Sequence, residues 1–530
     1  MKCLYVHNFK QNGGSLNLGQ NIDSASQKKV PKKRRFIKDA LILTVIAITL
    51  RMIAMVFTIY ISNIIGAEGI GLYQLTCSMY FLFIAFSTSG ISLAVTRIVS
   101  EQMAVGNTFV VRSAFRRCML LCIVLSVTAG IVLFFNAQTI GVAFLKDTRT
   151  VLSLKLLSFG LPFLSVASTI RGYFLGLKKG IKAVTTEIVE QVIQIIVTVP
   201  LIIIMAPKGL EQACCGLIIG AMISEILSCI YAVILYFCEK VQIHGNKEKK
   251  LNYKIFSIIG PSAFGYYVRS VLNTIENVLV PSGLKKFGQS SSEALSQYGM
   301  IKGMALPLLY FPSAILSAFS SLLIPEVSAV NALNGQKRIN YIIQKSFKAT
   351  LIFAFLVTGI FLTFSSEIGI AFYKNAKVGK MLLILAPLVP LMYLDQIVDS
   401  ILKGLNQQFS SMKYNTMDSA IRAAIIYLLV PIFAVKGYII MLYVGTIFNA
   451  LLSINRLIVV SRVRFNLVEW VIVPCIAIIM ACVFTRIILH AGLLFSILMV
   501  CAVYGLILML MGCITKRDIA WVIRIFYKKV

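Results

Sequence analysis

The stretch TLRMIAMVFTIY, residues 49–60, sets Arg51 inside an apolar run that extends from about Ala40 to Ile65. A guanidinium near the middle of a bilayer costs at least a few kcal/mol unless a cavity, a partner or a ligand receives it. A second arginine, Arg269, stands in YYVRSVLNTIENVLV, where Arg269, Asn273, Glu276 and Asn277 recur at helical spacing and so share one polar stripe. Arginine stays protonated when buried and its fork grips phosphate with two parallel hydrogen bonds. Arg51 and Arg269, with Asn273 and Glu276 beside them, are therefore candidates for holding an anion in a central cavity. The plainer alternative is that Arg269 and Glu276 neutralise each other and only join helices.

Further along, Asp395 and Asp399 lie four residues apart with Lys403 four beyond. Like charges at that spacing repel unless cations compensate, which makes the two acids candidates for ion coupling or for pairing with Lys403 or Arg422. Asp418 and Arg422 have the spacing of an intrahelical salt bridge, Glu187, Glu190, Gln191 and Gln194 form another polar face, and Glu225 is an isolated acid expected to find a basic partner. No Gly-rich phosphate loop, catalytic triad or metal motif occurs in a convincing context. His7, His244 and His490 are far apart, and the twelve cysteines show no CxxC spacing. No enzyme activity, metal or cofactor is expected, and the cysteines read as small apolar fillers.

The elements that must position these residues are membrane helices. Hydrophobic residues make up 58% of the 530-residue chain and charged residues 13%, with a mean hydropathy of +0.87; a soluble domain carries about a quarter charged residues. About fourteen apolar stretches reach the spanning length of roughly 20 residues. The formal net charge of +31 is distributed in short clusters between these stretches, without a basic domain, so nucleic acid is not the expected partner. Instead Lys and Arg concentrate in alternate loops, as at Arg112, Arg116 and Arg117, at Lys178, Lys179 and Lys182, and at Arg456 and Arg462. Lys374, Lys377 and Lys380 depart from the alternation. By the positive-inside rule the basic loops and both termini are cytoplasmic, in a multi-pass protein of the cell membrane.

An internal repeat organises the spans. LPFLSVASTIRGYFLGLKKGIKAVTTEIVEQ, from Leu161, aligns without gaps to VPLMYLDQIVDSILKGLNQQFSSMKYNTMDS, from Val389, superimposing Pro162 on Pro390 and Gly176 on Gly404. Other pairs follow at nearly the same shift, Glu101 with Glu326 and Tyr73 with Tyr298, and Arg51 then falls opposite Arg269. Six spans separate equivalent segments, so the repeats share one orientation. The expected architecture is all-α: a basic, disordered N-terminus over 1–37, a first six-helix lobe over 38–240, a second over 241–462, two extra helices over 463–514 and a basic tail over 515–530. Pro307 and Pro312, with Gly299 and Gly303, are expected to weaken the eighth span.

The basic start before the first span, SNIIGAEGIGLYQL at 62–75, GISLAVTRIVSE at 90–101 and LPFLSVASTIRGYFLGL at 161–177 resemble the polysaccharide-exporter and flippase branch of the multidrug/oligosaccharidyl-lipid/polysaccharide exporter superfamily, from Lys38 onward. The first 27 or so residues depart from it. The resemblance implies a MATE-like, lipid II flippase-like fold of two six-helix lobes. It also implies movement of an undecaprenyl-diphosphate-linked sugar precursor between leaflets in spore-cortex peptidoglycan synthesis, with membrane lipids around it and cell-wall synthesis enzymes as partners. In lipid II flippases, arginines of a cationic cavity are thought to engage the diphosphate, and Arg51 and Arg269 match by position. Two rivals are a cation-coupled multidrug exporter of the same superfamily and a non-transporting scaffold for cortex-building enzymes.

Overall fold

A computed structural model describes residues 33–513 except 89, 240, 241, 243, 247–249, 334, 464, 465 and 489–491. The expected terminal segments, 1–32 and 514–530, lie outside the described residues. Among those described there is no strand. Among the described residues, twelve helical stretches are long and apolar enough to cross a membrane. The first of them, Leu43–Val105, holds both the first and second expected spans. It comprises α1 (Lys33–Thr88), broken at Gly66 with φ of 71°, and α2 (Ile91–Val105), entered through Gly90 with φ of 79°. Glycine supplies both left-handed turns without a Cβ clash.

The first lobe continues with α3 (Thr108–Thr139), α4 (Thr150–Gly176), α5 (Gly180–Met205) and α6 (Leu210–Cys238). The second begins with α7 (Leu251–Lys286), long enough to span although its polar stripe keeps it out of the apolar set. The eighth span is broken, as its prolines and glycines suggest: α8 (Ser291–Tyr298), a π-helical stretch at Gly299–Ala305, α9 (Leu306–Tyr310) and α10 (Ser313–Ala332). Next come α11 (Gln336–Tyr373), α12 (Ala376–Leu385), α13 (Val389–Gly404), α14 (Gln408–Phe433) and α15 (Val435–Ser461). The extra pair, α16 (Val473–Ile488) and α17 (Leu493–Leu510), packs on α11. The protein is an all-α, multi-pass membrane protein of two six-helix lobes with two added helices.

The repeat is visible in the backbone. Lys178, after α4, and Asn406, after α13, both adopt left-handed φ, 60° and 61°, at matching places in the gapless alignment. A Cβ on Gly176 would lie 2.7 Å from that of Val99, and one on Gly404 would lie 2.9 Å from that of Val327. These matched contacts correct the register expected for the second and eighth spans. Val99 corresponds to Val327, so Glu101 falls about one helical turn from the place opposite Glu326.

The lobes meet closely at the end away from the basic loops. A Cβ on Gly299 would sit 2.0 Å from the carbonyl oxygen of Ala67, and one on Gly71 would sit 2.1 Å from that of Leu295. Only residues without a side chain permit that approach of α1 to the broken eighth span. Asn63 Nδ2 donates to the Phe372 carbonyl at 2.8 Å, Ser292 Oγ to Glu68 Oε2 at 2.6 Å, and Lys285 Nζ to the Lys146 carbonyl at 2.8 Å. Arg149 bridges Glu68 and Asp147 at 2.8 Å each. Burial pushes the Asp147 carboxyl up, but the bonds and charge of Arg149 outweigh it and hold Asp147 below the usual carboxylate range.

Candidate functional site

Between the lobes, toward the basic end, lies a cavity of about 870 Å³ walled by α1, α4 and α5 on one side and α10 on the other. Its charged and amide members are Arg51, Arg171, Glu187, Glu190, Gln191 and Gln194, with Ser317 and Ser321 facing them from α10. Arg51 Nη1 donates across the gap to Ser317 Oγ at 3.0 Å, and Gln396 Nε2 of α13 donates to the same oxygen at 2.6 Å. The cavity answers what receives the guanidinium: Arg51 is exposed to it and has no carboxylate partner among the described residues.

Arg171 is different. Its Nη1 meets Glu190 Oε2 at 2.8 Å, across α4 and α5, so that pair is internally neutral. The sequence reading passed over Arg171, yet the repeat carries a signal for it. Arg171 aligns with Asp399, so each lobe bears a charge at the same place on its fourth span and uses it to reach the next helix. With Arg171 and Glu190 paired, the cavity keeps one uncommitted cation, Arg51, and one uncommitted acid, Glu187, among the described residues, and Glu187 is exposed to it. It is thus amphoteric, where the resemblance implied a cationic one.

The second-lobe candidates lie elsewhere. Arg269 and Asn273 are exposed on α7 and do not line the cavity. Glu276, 6% exposed, lies within electrostatic reach of Arg422 and Asp418. Arg422 is held by Asp418 at 2.8 Å, the spacing-derived salt bridge. Gly445 makes room for it, since a Cβ there would approach Arg422 Nε to 2.5 Å. Glu276 and Arg269 form no ion pair with each other among the described contacts. Asn277 accepts from the Tyr298 hydroxyl at 3.1 Å.

Asp395 and Asp399 also part company. Asp399 pairs with Lys403 at 2.6 Å and accepts from the Ser411 hydroxyl. Asp395 accepts from Asn449 Nδ2 at 2.9 Å through Oδ2, while its buried Oδ1 has no hydrogen-bond partner among the described residues. Among the described residues Glu225 pairs with no cation: the Tyr80 hydroxyl donates to its Oε2 at 2.8 Å, and it is 8% exposed. The isolated acid found a phenol because Gly160 lets both groups close on the α4 backbone. No cluster of three or more His, Cys, Asp or Glu that could hold a metal occurs among the described residues, and the described cysteines are unbridged.

Two parallel lobes around an inter-lobe cavity, closed at one end, are the fold of the solved multidrug resistance MATE family transporter and lipid II flippase MurJ structures. Residues 36–330 match the polysaccharide biosynthesis protein family, and the chain belongs to it. It is 23% identical to stage V sporulation protein B of Bacillus subtilis (strain 168) over 461 residues, 85% of this chain and 89% of that protein. It is 24% identical to the lipid II flippase MurJ of the same strain over 419 residues, 71% of this chain and 73% of that protein. A solved structure of lipid II flippase MurJ in an inward closed conformation superposes with a TM-score of 0.63 at 14% identity, covering 88% of this chain and 97% of that one.

Proposed function

We propose that this protein flips an undecaprenyl-diphosphate-linked peptidoglycan or polysaccharide precursor across the cell membrane by alternating access of its two lobes, in spore-cortex synthesis. The observation that carries the reading is Arg51: a guanidinium at bilayer depth, uncommitted to any carboxylate, reaching across a cavity between lobes that are sealed together at the far end. A diphosphate displaces Ser317 as its partner and gains charge-assisted hydrogen bonds. Gln191, Gln194 and Glu187 offer donors and acceptors to sugar hydroxyls, while the lipid tail stays in the bilayer. Arg269 and Asn273, exposed on α7, are the second candidate contact as the lobes rearrange. Asp395, with one unpartnered oxygen, is a stronger candidate for ion coupling than Asp399, which Lys403 already neutralises. The basic loops and both termini face the cytoplasm, where the precursor is made and where cell-wall enzymes meet the carrier.

Glu187 supports a second reading, export of a cationic drug, because it is an uncommitted acid in the same cavity. Native mass spectrometry of the purified protein separates the two. The first reading expects retention of undecaprenyl-diphosphate disaccharide-peptide, weakened by Arg51→Ala and untouched by Glu187→Gln. Preferential retention of a quaternary ammonium dye, lost in Glu187→Gln, contradicts it.

A further inference from the structure

On the outer face of the first lobe lies a second cavity, of about 770 Å³, between α3, α4 and α6. It shares no lining residue with the inter-lobe cavity. Its polar end holds Arg112 and Arg116, four residues apart on one face of α3, both exposed and without an ion-pair partner among the described residues. Glu239 is at the rim, but Lys179 and Lys182 hold both its oxygens, the latter at 2.7 Å. Burial raises the Glu239 carboxyl, and the two lysines outweigh burial and keep it below the ordinary value, so it stays charged and spoken for.

Along the same face of α3 the chemistry changes. Leu120, Ile123 and Val124 are 67%, 42% and 54% exposed, and Phe237 across the groove is 76% exposed. Side chains of this kind at such exposure in a membrane protein face acyl chains. The floor is aromatic, with Phe115 4.6 Å from both the Tyr173 and the Tyr236 ring. On the other flank of α3, Arg116 also lines a second groove of about 540 Å³, where Arg117 Nη1 donates to Asn252 Oδ1 at 2.6 Å above Leu121, Ile255 and Phe256.

Two unpaired guanidiniums at the basic end, directly above an exposed apolar groove, complement one amphiphile. We propose that the groove between α3 and α6 is a binding site for an anionic phospholipid, with its phosphate on Arg112 and Arg116 and an acyl chain along Leu120, Ile123 and Val124. Basic pockets between helices at the headgroup level are suited to such lipids. The site is independent of the transported cargo.

The test is native mass spectrometry of the full-length protein titrated with phosphatidylglycerol or phosphatidylcholine. Wild type binds phosphatidylglycerol in preference, and Arg112→Ala/Arg116→Ala lowers its affinity roughly thirtyfold, at about tenfold or less per surface cation. Arg112→Lys/Arg116→Lys restores most of the preference, which a merely unfolded variant does not, and excess glycerol 3-phosphate fails to displace the lipid. Absence of a phosphatidylglycerol preference in wild type, an unchanged preference in the alanine variant, or displacement by glycerol 3-phosphate at equal concentration overturns the proposal.

Discussion

Arg51 was legible from sequence because a cation within an apolar run demands an explanation, and Asp418 with Arg422 because four-residue spacing is the pairing distance of a helix. Partners between helices were not legible. Nothing local ties Glu225 to Tyr80, Arg51 to Ser317 or Arg171 to Glu190, since each pair is set by how helices pack. At this scale Arg51→Ala should weaken retention of a diphosphate-linked precursor by about tenfold to a hundredfold, the range of a charge-assisted hydrogen bond or two. Arg51→Lys should recover only part of it, because an ammonium lacks the fork. Binding measured against undecaprenyl monophosphate checks this, and equal loss for both lipids would count against recognition of the diphosphate.

At the scale of elements, prolines, glycines and charge clusters revealed where spans end, and the gapless repeat revealed that the lobes correspond. The register of the second against the eighth span differs by a turn from the one that pairs Glu101 with Glu326, because a single matched acid does not fix the register of two largely apolar helices; the Gly176 and Gly404 contacts do. Two predictions belong here. Lys178 holds a left-handed φ of 60° that costs a residue with a Cβ about 1 kcal/mol or more. Lys178→Gly should therefore raise the thermal midpoint, and a lowered midpoint in a melting assay would refute the strain argument. Gly299→Val should push α1 from the broken eighth span, since even a Cβ meets the Ala67 carbonyl at 2.0 Å. The expected outcome is readier modification of a cysteine placed near Gly71 by a membrane-impermeant reagent, with unchanged labelling taken as contradiction.

The whole molecule has lobes sealed at one end and a cavity toward the other, an arrangement no single segment announces. Its seal includes the hydrogen bonds of Ser292 to Glu68 and of Lys285 to the Lys146 carbonyl across the lobes, with Arg149 holding Glu68 and Asp147 in place on the first-lobe side. Arg149→Ala leaves two acids unpaired and should shift the population toward separation at that end, seen as longer distances between spin labels on the 140–149 turn and on α8. The pH response follows from Asp147, whose folded value lies below its ordinary 3.8. Its contribution is present above 3.8 and is lost as pH falls through the lower folded value, so the label distances should hold from neutral to mildly acid pH.

The central claim is that Arg51 grips a lipid-linked anion during transit between leaflets. The most direct measurement is translocation of an undecaprenyl-diphosphate-linked precursor in reconstituted vesicles, comparing wild type with Arg51→Ala at matched protein level and orientation. The account predicts translocation by wild type and its loss in Arg51→Ala; translocation by the variant at the wild-type rate would contradict it.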